Sequence, residues 1–209
     1  MCGGACAEAS QRLSYTQSMH DTAGILEEPD VRGAALSLTV EQYHRLSAEG
    51  IVPERTELLQ GVIIGQMTKS PLHTFLVQRL VRWLAAAADS AHFVRKEEPL
   101  TLSDSEPEPD IAVVSGTPEV YRLAHPTTAA LVVEVAIATL GIDRAKAEVY
   151  AAAGIPEYWI VIPETKTVEI HRRPADGGYA ERLTVTEADA ALQPAEVPAK
   201  PVTLEQLFG

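Results

Sequence analysis

Cysteine is almost missing from this 209-residue chain: the two present, Cys2 and Cys6, both sit in a glycine-containing leader. A bridge between them would staple almost nothing, so a disulfide-built core is excluded and a reduced, cytoplasmic setting is expected. Long apolar runs are missing too. No stretch approaches the ~20 residues of a membrane span, so no membrane partner is expected. The opening "MCGGACAEAS" lacks a charged region followed by an apolar core, which argues against a signal peptide. Basic residues are outnumbered, 17 Lys and Arg against 29 Asp and Glu, and a formal net charge of −12 argues against a general polyanion binder. There is no G-x-S-x-G, no phosphate-cradling glycine loop and no dinucleotide fingerprint. The six histidines (His20, His44, His73, His92, His125, His171) show no paired metal spacing, and the cysteines do not suit a zinc cluster.

What is present describes an ordinary globular α/β chain. Hydrophobic residues make up 46% of it, and a chain of this length buries roughly 70% of its unfolded surface. Residues 1–35 are mixed and aperiodic, a poorly packed leader, and residues 36–209 read as one domain. "TVEQYHRLSAEG" is a helix, with capping-box spacing between Thr39 and Gln42 and a stop at Gly50. "RTELLQGVIIGQM" gives two short strands around Gln60-Gly61. Ser70-Pro71 opens a long helix to about Ala88, with Leu72, Leu76, Leu80 and Trp83 on one face. Strands follow at "HFVRKEEPL", "IAVV", "LVVEVA", "EYWIVI", "TVEIHRR" and "YAERLTV", the last two joined by "ADGG". A helix from about Asp143 to Ala153, stopped by Gly154, separates the third from the fourth. The order is that of a mixed sheet with helices packed on it.

Charge is uneven along the chain. From Gln66 to Lys96 the bases are Lys69, Arg79, Arg82, Arg95 and Lys96, against the single acid Asp89. From Glu97 to Glu119 there are seven acids and no base. A basic segment beside an acidic one could hold a phosphate backbone next to a metal; it could equally be two solvated faces.

Two charges stand out where apolar residues belong. Glu134 lies inside the strand "LVVEVA", and Lys146 shares an otherwise apolar helix face with Val149, Tyr150 and Ala153. Burying such groups costs several kcal/mol unless they are paired or bind a metal. Asp110 follows Pro109 at the mouth of "IAVV". If the strands of Asp110 and Glu134 are neighbours, both carboxylates converge on one divalent ion, and oxygen ligands favour magnesium or manganese. Lys146 would then orient a water and offset developing charge. On spacing alone a structural ion pair stays open for Glu134 and Lys146, and a loop acid or strand cap for Asp110.

"PEPDIAVV", "LVVEVA" and "DRAKAEVYAAAGIPEYWIV", preceded by "ELLQGVIIGQM" and "SPLH", resemble the Uma family of putative restriction endonucleases, within the PD-(D/E)XK nuclease superfamily. The likeness runs from about Leu38 to Phe208. It implies a restriction-endonuclease-like α/β core, a mixed central sheet flanked by helices, and magnesium-dependent hydrolysis of phosphodiester bonds in DNA. Asp110 matches the aspartate of the PD motif and Glu134 its second acid. The superfamily lysine would fall on Ala136; members of this family carry it on the next helix, which matches Lys146. Glu57 and His73 match two further recurrent polar positions and are peripheral site candidates; a hairpin salt bridge and a first-turn contact are their other readings. Ile137 and Ala138 stand where members often carry polar residues, the Asp143-to-Lys146 interval is one residue short, and Ile162 replaces a common aspartate.

The resulting expectation is a metal-dependent DNA endonuclease. Asp110, Glu134 and the Val135 carbonyl hold Mg²⁺ or Mn²⁺, and Lys146 positions water. Lys69, Arg79, Arg82, Arg95 and Lys96 contact phosphates, and a homodimer cuts paired strands. Two rivals remain: a catalytically silent nuclease-fold module that binds DNA or a protein partner, and a structural domain whose acids form ion pairs only.

Overall fold

Six strands build the centre of the molecule, three adjacent inner ones among them buried along almost their whole length, and a computed structural model describes residues 23–87 and 91–209. Cys2, Cys6, His20 and Asp89 lie outside the described residues. The chain divides into two units, residues up to Leu36 and Ser37–Gly209. In the first, two short helices occur in the stretch read as leader, α1 (Ala23–Glu27) and α2 (Pro29–Ala34). Pro29 at the first turn and Asp30 behind it favour the start of α2, which buries none of its side chains.

The second unit opens with α3 (Val40–Ala48), started by the expected capping box: Thr39 Oγ1 accepts from the Gln42 amide and Gln42 Oε1 from the Thr39 amide. The hairpin of β1 (Thr56–Leu59) and β2 (Val62–Gly65) follows. Its turn residues Gln60 and Gly61 both have positive φ, 49° and 78°, the two-residue geometry that matches strand twist. A Cβ on Gly61 would run into Ser37 and Leu38. The hairpin is not part of the main sheet; it is tied to the 104–106 loop by the Gly61 amide to the Asp104 carbonyl and by a bridge between Leu58 and Glu106.

Helix α4 (Pro71–Ala87) starts where Ser70 Oγ caps the His73 amide. Its buried stripe is Leu76, Val77, Leu80 and Leu84; Leu72, expected on that face, lies in the first turn and is half exposed. Next come β3 (His92–Lys96), β4 (Ile111–Ser115), β5 (Leu131–Val135), α5 (Leu140–Ala152), β6 (Glu157–Ile162), β7 (Thr167–Ala175) and β8 (Gly178–Val185). The strands lie in that order in one mixed sheet, with only β5 and β6 parallel and α5 as the crossover between them. Helix α5 begins about a turn before Asp143, because the Thr139 carbonyl and hydroxyl both engage Asp143 and move the start back to Leu140.

Strand alternation sorts the core into two layers. Val133, Val135 and Trp159 face α4, while Val132, Tyr158 and Ile160 face α5. The tail adds β9 (Ala191–Leu192), β10 (Val202–Thr203) and α6 (Leu204–Phe208) to the α4 side. Buried Glu157 holds this tail by accepting from Trp159 Nε1, Arg172 Nε and the Ala195 amide. Trp83 stacks on Trp159 and donates to the Lys200 carbonyl. No helix among the described residues is long and apolar enough to cross a membrane.

Candidate functional site

Antiparallel pairing of β4 with β5 sets Ile111 opposite Val133, so Asp110 falls beside Glu134. The Asp110 amide donates to Glu134 Oε2 at 3.0 Å, and the Val135 amide donates to Asp110 Oδ2 at 2.8 Å. Glu134 alternates with Val133 and Val135 and therefore faces α5. There Lys146 Nζ donates to Glu134 Oε1 at 2.9 Å and the Tyr150 hydroxyl donates to the same oxygen at 3.2 Å. Glu134 is 4% and Lys146 5% exposed.

Glu57, brought in by the hairpin, pairs with Lys146 Nζ at 2.9 Å and accepts from the Glu108 amide. His73, in the first turn of α4, is 3.0 Å from Asp110 Oδ2 through Nε2. A carboxylate only accepts, so Nε2 carries the proton, and the buried Nδ1 has no partner. Both residues read as peripheral thus reach the centre, one through the lysine and one through the aspartate. These groups, with Val135, Ile137, Ala138 and Asp143, line a cavity of about 110 Å³.

The electrostatics are one-sided. Four buried carboxylates, Glu57, Asp110, Glu134 and Asp143, face one buried ammonium, Lys146. Burial pushes Glu134 up to about 8; Lys146 opposes this, while Asp110, Asp143 and Glu57 add to it. Burial likewise raises Asp143 to about 6 against its hydrogen bond from Thr139. Burial works against the charge on Lys146, yet Glu134, Glu57 and Asp143 outweigh it and hold the ammonium above its ordinary range. Burial and mutual repulsion penalise the ionised form of these carboxyls, a penalty that a hard divalent cation on their oxygens would offset, so the residues fit Mg²⁺ or Mn²⁺. Among the described residues no three His, Cys, Asp or Glu side chains form a metal cage by themselves. The fitting set is two carboxylates completed by backbone and water.

Two members of the site escaped the sequence reading. Asp143 passed as a helix start and Tyr150 as core, although they stand three residues before and four after Lys146, spacings that share its helix face.

The five bases do not share one surface. Lys69 lines the cavity and pairs with Glu97 at 3.1 Å, which Lys96 also approaches at 3.4 Å. Arg79 donates to the Leu207 carbonyl and lies over the Phe75 ring; with the exposed Arg82 it stands beside α6. Arg95 is only 9% exposed and its guanidinium bonds to Glu98 and His125, so its charge is used inside the fold and it is no surface contact. It points the way Phe93 does, toward the α5 layer.

A search of curated proteins finds no match. Among solved structures the fold resembles a putative nuclease belonging to DUF820 from Anabaena variabilis, with a TM-score of 0.67 and 18% identity over 82% of this chain and 97% of that one. At that identity the likeness is one of fold, a mixed sheet flanked by helices. Residues 40–204 match the family described as "Uma2: Putative restriction endonuclease". With nearly all of the second unit inside that match, the chain belongs to the Uma2 family.

Proposed function

We propose that this protein is a divalent-metal-dependent nuclease that hydrolyses phosphodiester bonds in DNA. The observation that carries the reading is Lys146 Nζ, fixed 2.9 Å from Glu134 Oε1 in a cavity that Asp110 also lines. The Asp110 and Glu134 carboxylates and the Val135 carbonyl would hold Mg²⁺ or Mn²⁺. Such an ion, when bound, stabilises negative charge on a phosphoryl group and lowers the pKa of a water.

The chain's own groups supply the rest. Lys146 keeps its proton and therefore acts as a donor, turning a water's lone pair toward phosphorus and offsetting charge on the phosphoryl oxygens. Glu57 and Glu134 share its ammonium and keep it from swinging away. His73 Nε2–H fixes the rotamer of Asp110, and the Tyr150 hydroxyl fixes that of Glu134. Peptide amides at 110 and 135 lower the cost of setting two carboxylates side by side.

The double pairing of Lys146 favours one rival, a silent nuclease-fold module that binds DNA or a protein partner, since the lysine is satisfied without substrate. Cleavage of varied single-stranded and duplex DNA with and without Mn²⁺ separates the two. Metal-dependent cleavage that Lys146→Met loses supports the nuclease; no cleavage under any condition supports the silent module.

A further inference from the structure

The cavity changes character from floor to mouth. Its floor is charged and buried, with Asp110, Glu134, Asp143 and Lys146. Its mouth carries two large apolar side chains from separate elements: Met67, just past β2, is 55% exposed and Ile137, just past β5, is 39% exposed. Gln66, Thr68 and Ser70 add uncharged polar groups. Among the described residues Lys69 is the one lysine or arginine in the lining besides buried Lys146, and it is shared with Glu97.

That lining suits one physical form of the substrate better than another. Duplex DNA hides its bases and is gripped through phosphates, each neutralised phosphate adding about 0.9 to the salt slope of log affinity. A mouth with one partly neutralised lysine has little to offer it. An unpaired strand exposes its bases, whose apolar faces gain from leaving water against apolar side chains whatever the sequence. The cavity, about 110 Å³, admits a phosphate group and a few waters, a water centre needing roughly 10–15 Å³. Resting on the nuclease reading above, we infer that the substrate is an unpaired stretch of DNA, an overhang, loop or flap, whose bases lie on Met67 and Ile137 while one phosphate enters the cavity. One active site suffices for such a strand, so the two copies that paired-strand cleavage demands are not required.

The test uses oligonucleotides of one mixed sequence as single strand, duplex, and duplex with an unpaired bubble. Binding is measured in Ca²⁺ and cleavage in Mn²⁺. Single strand and bubble should bind and be cut at least about tenfold better than duplex. Met67→Ser with Ile137→Ser should weaken single-strand binding by about tenfold, the scale of one lost apolar contact. Met67→Ser alone, at a mostly exposed side chain, should keep the wild-type melting temperature, and the double variant should keep Mn²⁺ binding because neither side chain is a proposed ligand. Duplex cut as well as single strand overturns the inference and leaves the nuclease reading standing. Single-strand binding that depends on Met67 and Ile137 without any cleavage keeps the unpaired strand as the ligand of this mouth but overturns it as a substrate, together with the nuclease reading. Binding of no DNA at all overturns both.

Discussion

Asp110 and Glu134 hold one another through the peptide backbone: the amide of Asp110 donates to Glu134 Oε2, and the amide of Val135, the residue after Glu134, donates to Asp110 Oδ2. Two like charges are thereby set side by side by the β4–β5 register rather than by the adaptation of long side chains. Lys146 then meets this pair from α5 and shares itself with Glu57 from the hairpin. Three segments, carrying Glu57, Asp110 and Glu134, thus bring their carboxylates around the one ammonium on α5.

Removing that ammonium should hurt folding and chemistry in different ways. Lys146→Met leaves Glu57 and Glu134 buried without a counter-charge, an expected loss of about 3–5 kcal/mol. Mn²⁺ should restore more stability to this variant than to wild type, because the remaining site is more negative. Cleavage should stay about 10²–10³ below wild type even at saturating metal. Calorimetric melting with and without Mn²⁺, beside a cleavage assay, reads all three. A variant that melts as wild type does would show that Lys146 is no counter-ion.

Gly61 tests whether the hairpin positions the site. Its φ of 78° and the approach of Ser37 and Leu38 leave no room for a side chain. Gly61→Ala should cost about 1–3 kcal/mol. It should also reduce cleavage, since β1 carries Glu57 to Lys146. Unchanged cleavage in a destabilised variant would make Glu57 dispensable.

Much of this site was legible in the sequence, for one reason: charge in the wrong place. A glutamate inside an apolar strand and a lysine on an apolar helix face stand out because burial of either is costly. Asp110 stood out after a proline at a strand mouth. Asp143 and Tyr150 did not, because an acid near a helix start and a tyrosine among alanines are ordinary; the Tyr150 hydroxyl nevertheless donates to Glu134, and Asp143 lines the same cavity. Glu57 depends on a hairpin docking beside a helix distant in sequence, which no local pattern reports. Arg95 misled for a related reason: alternation says it points opposite to Lys96, but not which face is covered. The strands β9 and β10, two residues each, carry no periodicity to read.

His171 gives a pH dependence away from the site. It is buried between Tyr158 and Tyr179, neither ring nitrogen has a hydrogen-bond partner, and Glu169 stands 3.8 Å away. Burial lowers it below its ordinary 6.5; Glu169 opposes this and Arg182 and Arg144 assist. The unfolded chain therefore takes up the proton first as pH falls through 6.5. Stability is fully present above that value and is lost on the acid side, down to the lower folded value. His171→Phe should flatten the fall in urea midpoint between about pH 7 and 5. A slope equal to that of wild type would place the acid sensitivity elsewhere.

The scattered bases make separate expectations. Lys69, on the cavity lining, should contact a phosphate, so Lys69→Ala should flatten the salt slope by about 0.7 on single-stranded DNA. Arg79→Ala with Arg82→Ala, beside α6, should leave that slope unchanged. The reverse pattern, read from binding isotherms at several salt concentrations, would move the nucleic acid to the outer side of α4.

If Asp110 and Glu134 together hold one divalent cation, as proposed, Mn²⁺ titration by calorimetry reads it at the site itself. Asp110→Asn and Glu134→Gln keep the shape of each side chain and remove its charge, so neither is expected to unfold the sheet. Wild type should bind Mn²⁺ at a single site per chain, and each variant should lose that binding while melting cooperatively. Undiminished Mn²⁺ binding in both variants, or none in wild type, would contradict the account and leave the two acids as partners of Lys146 alone.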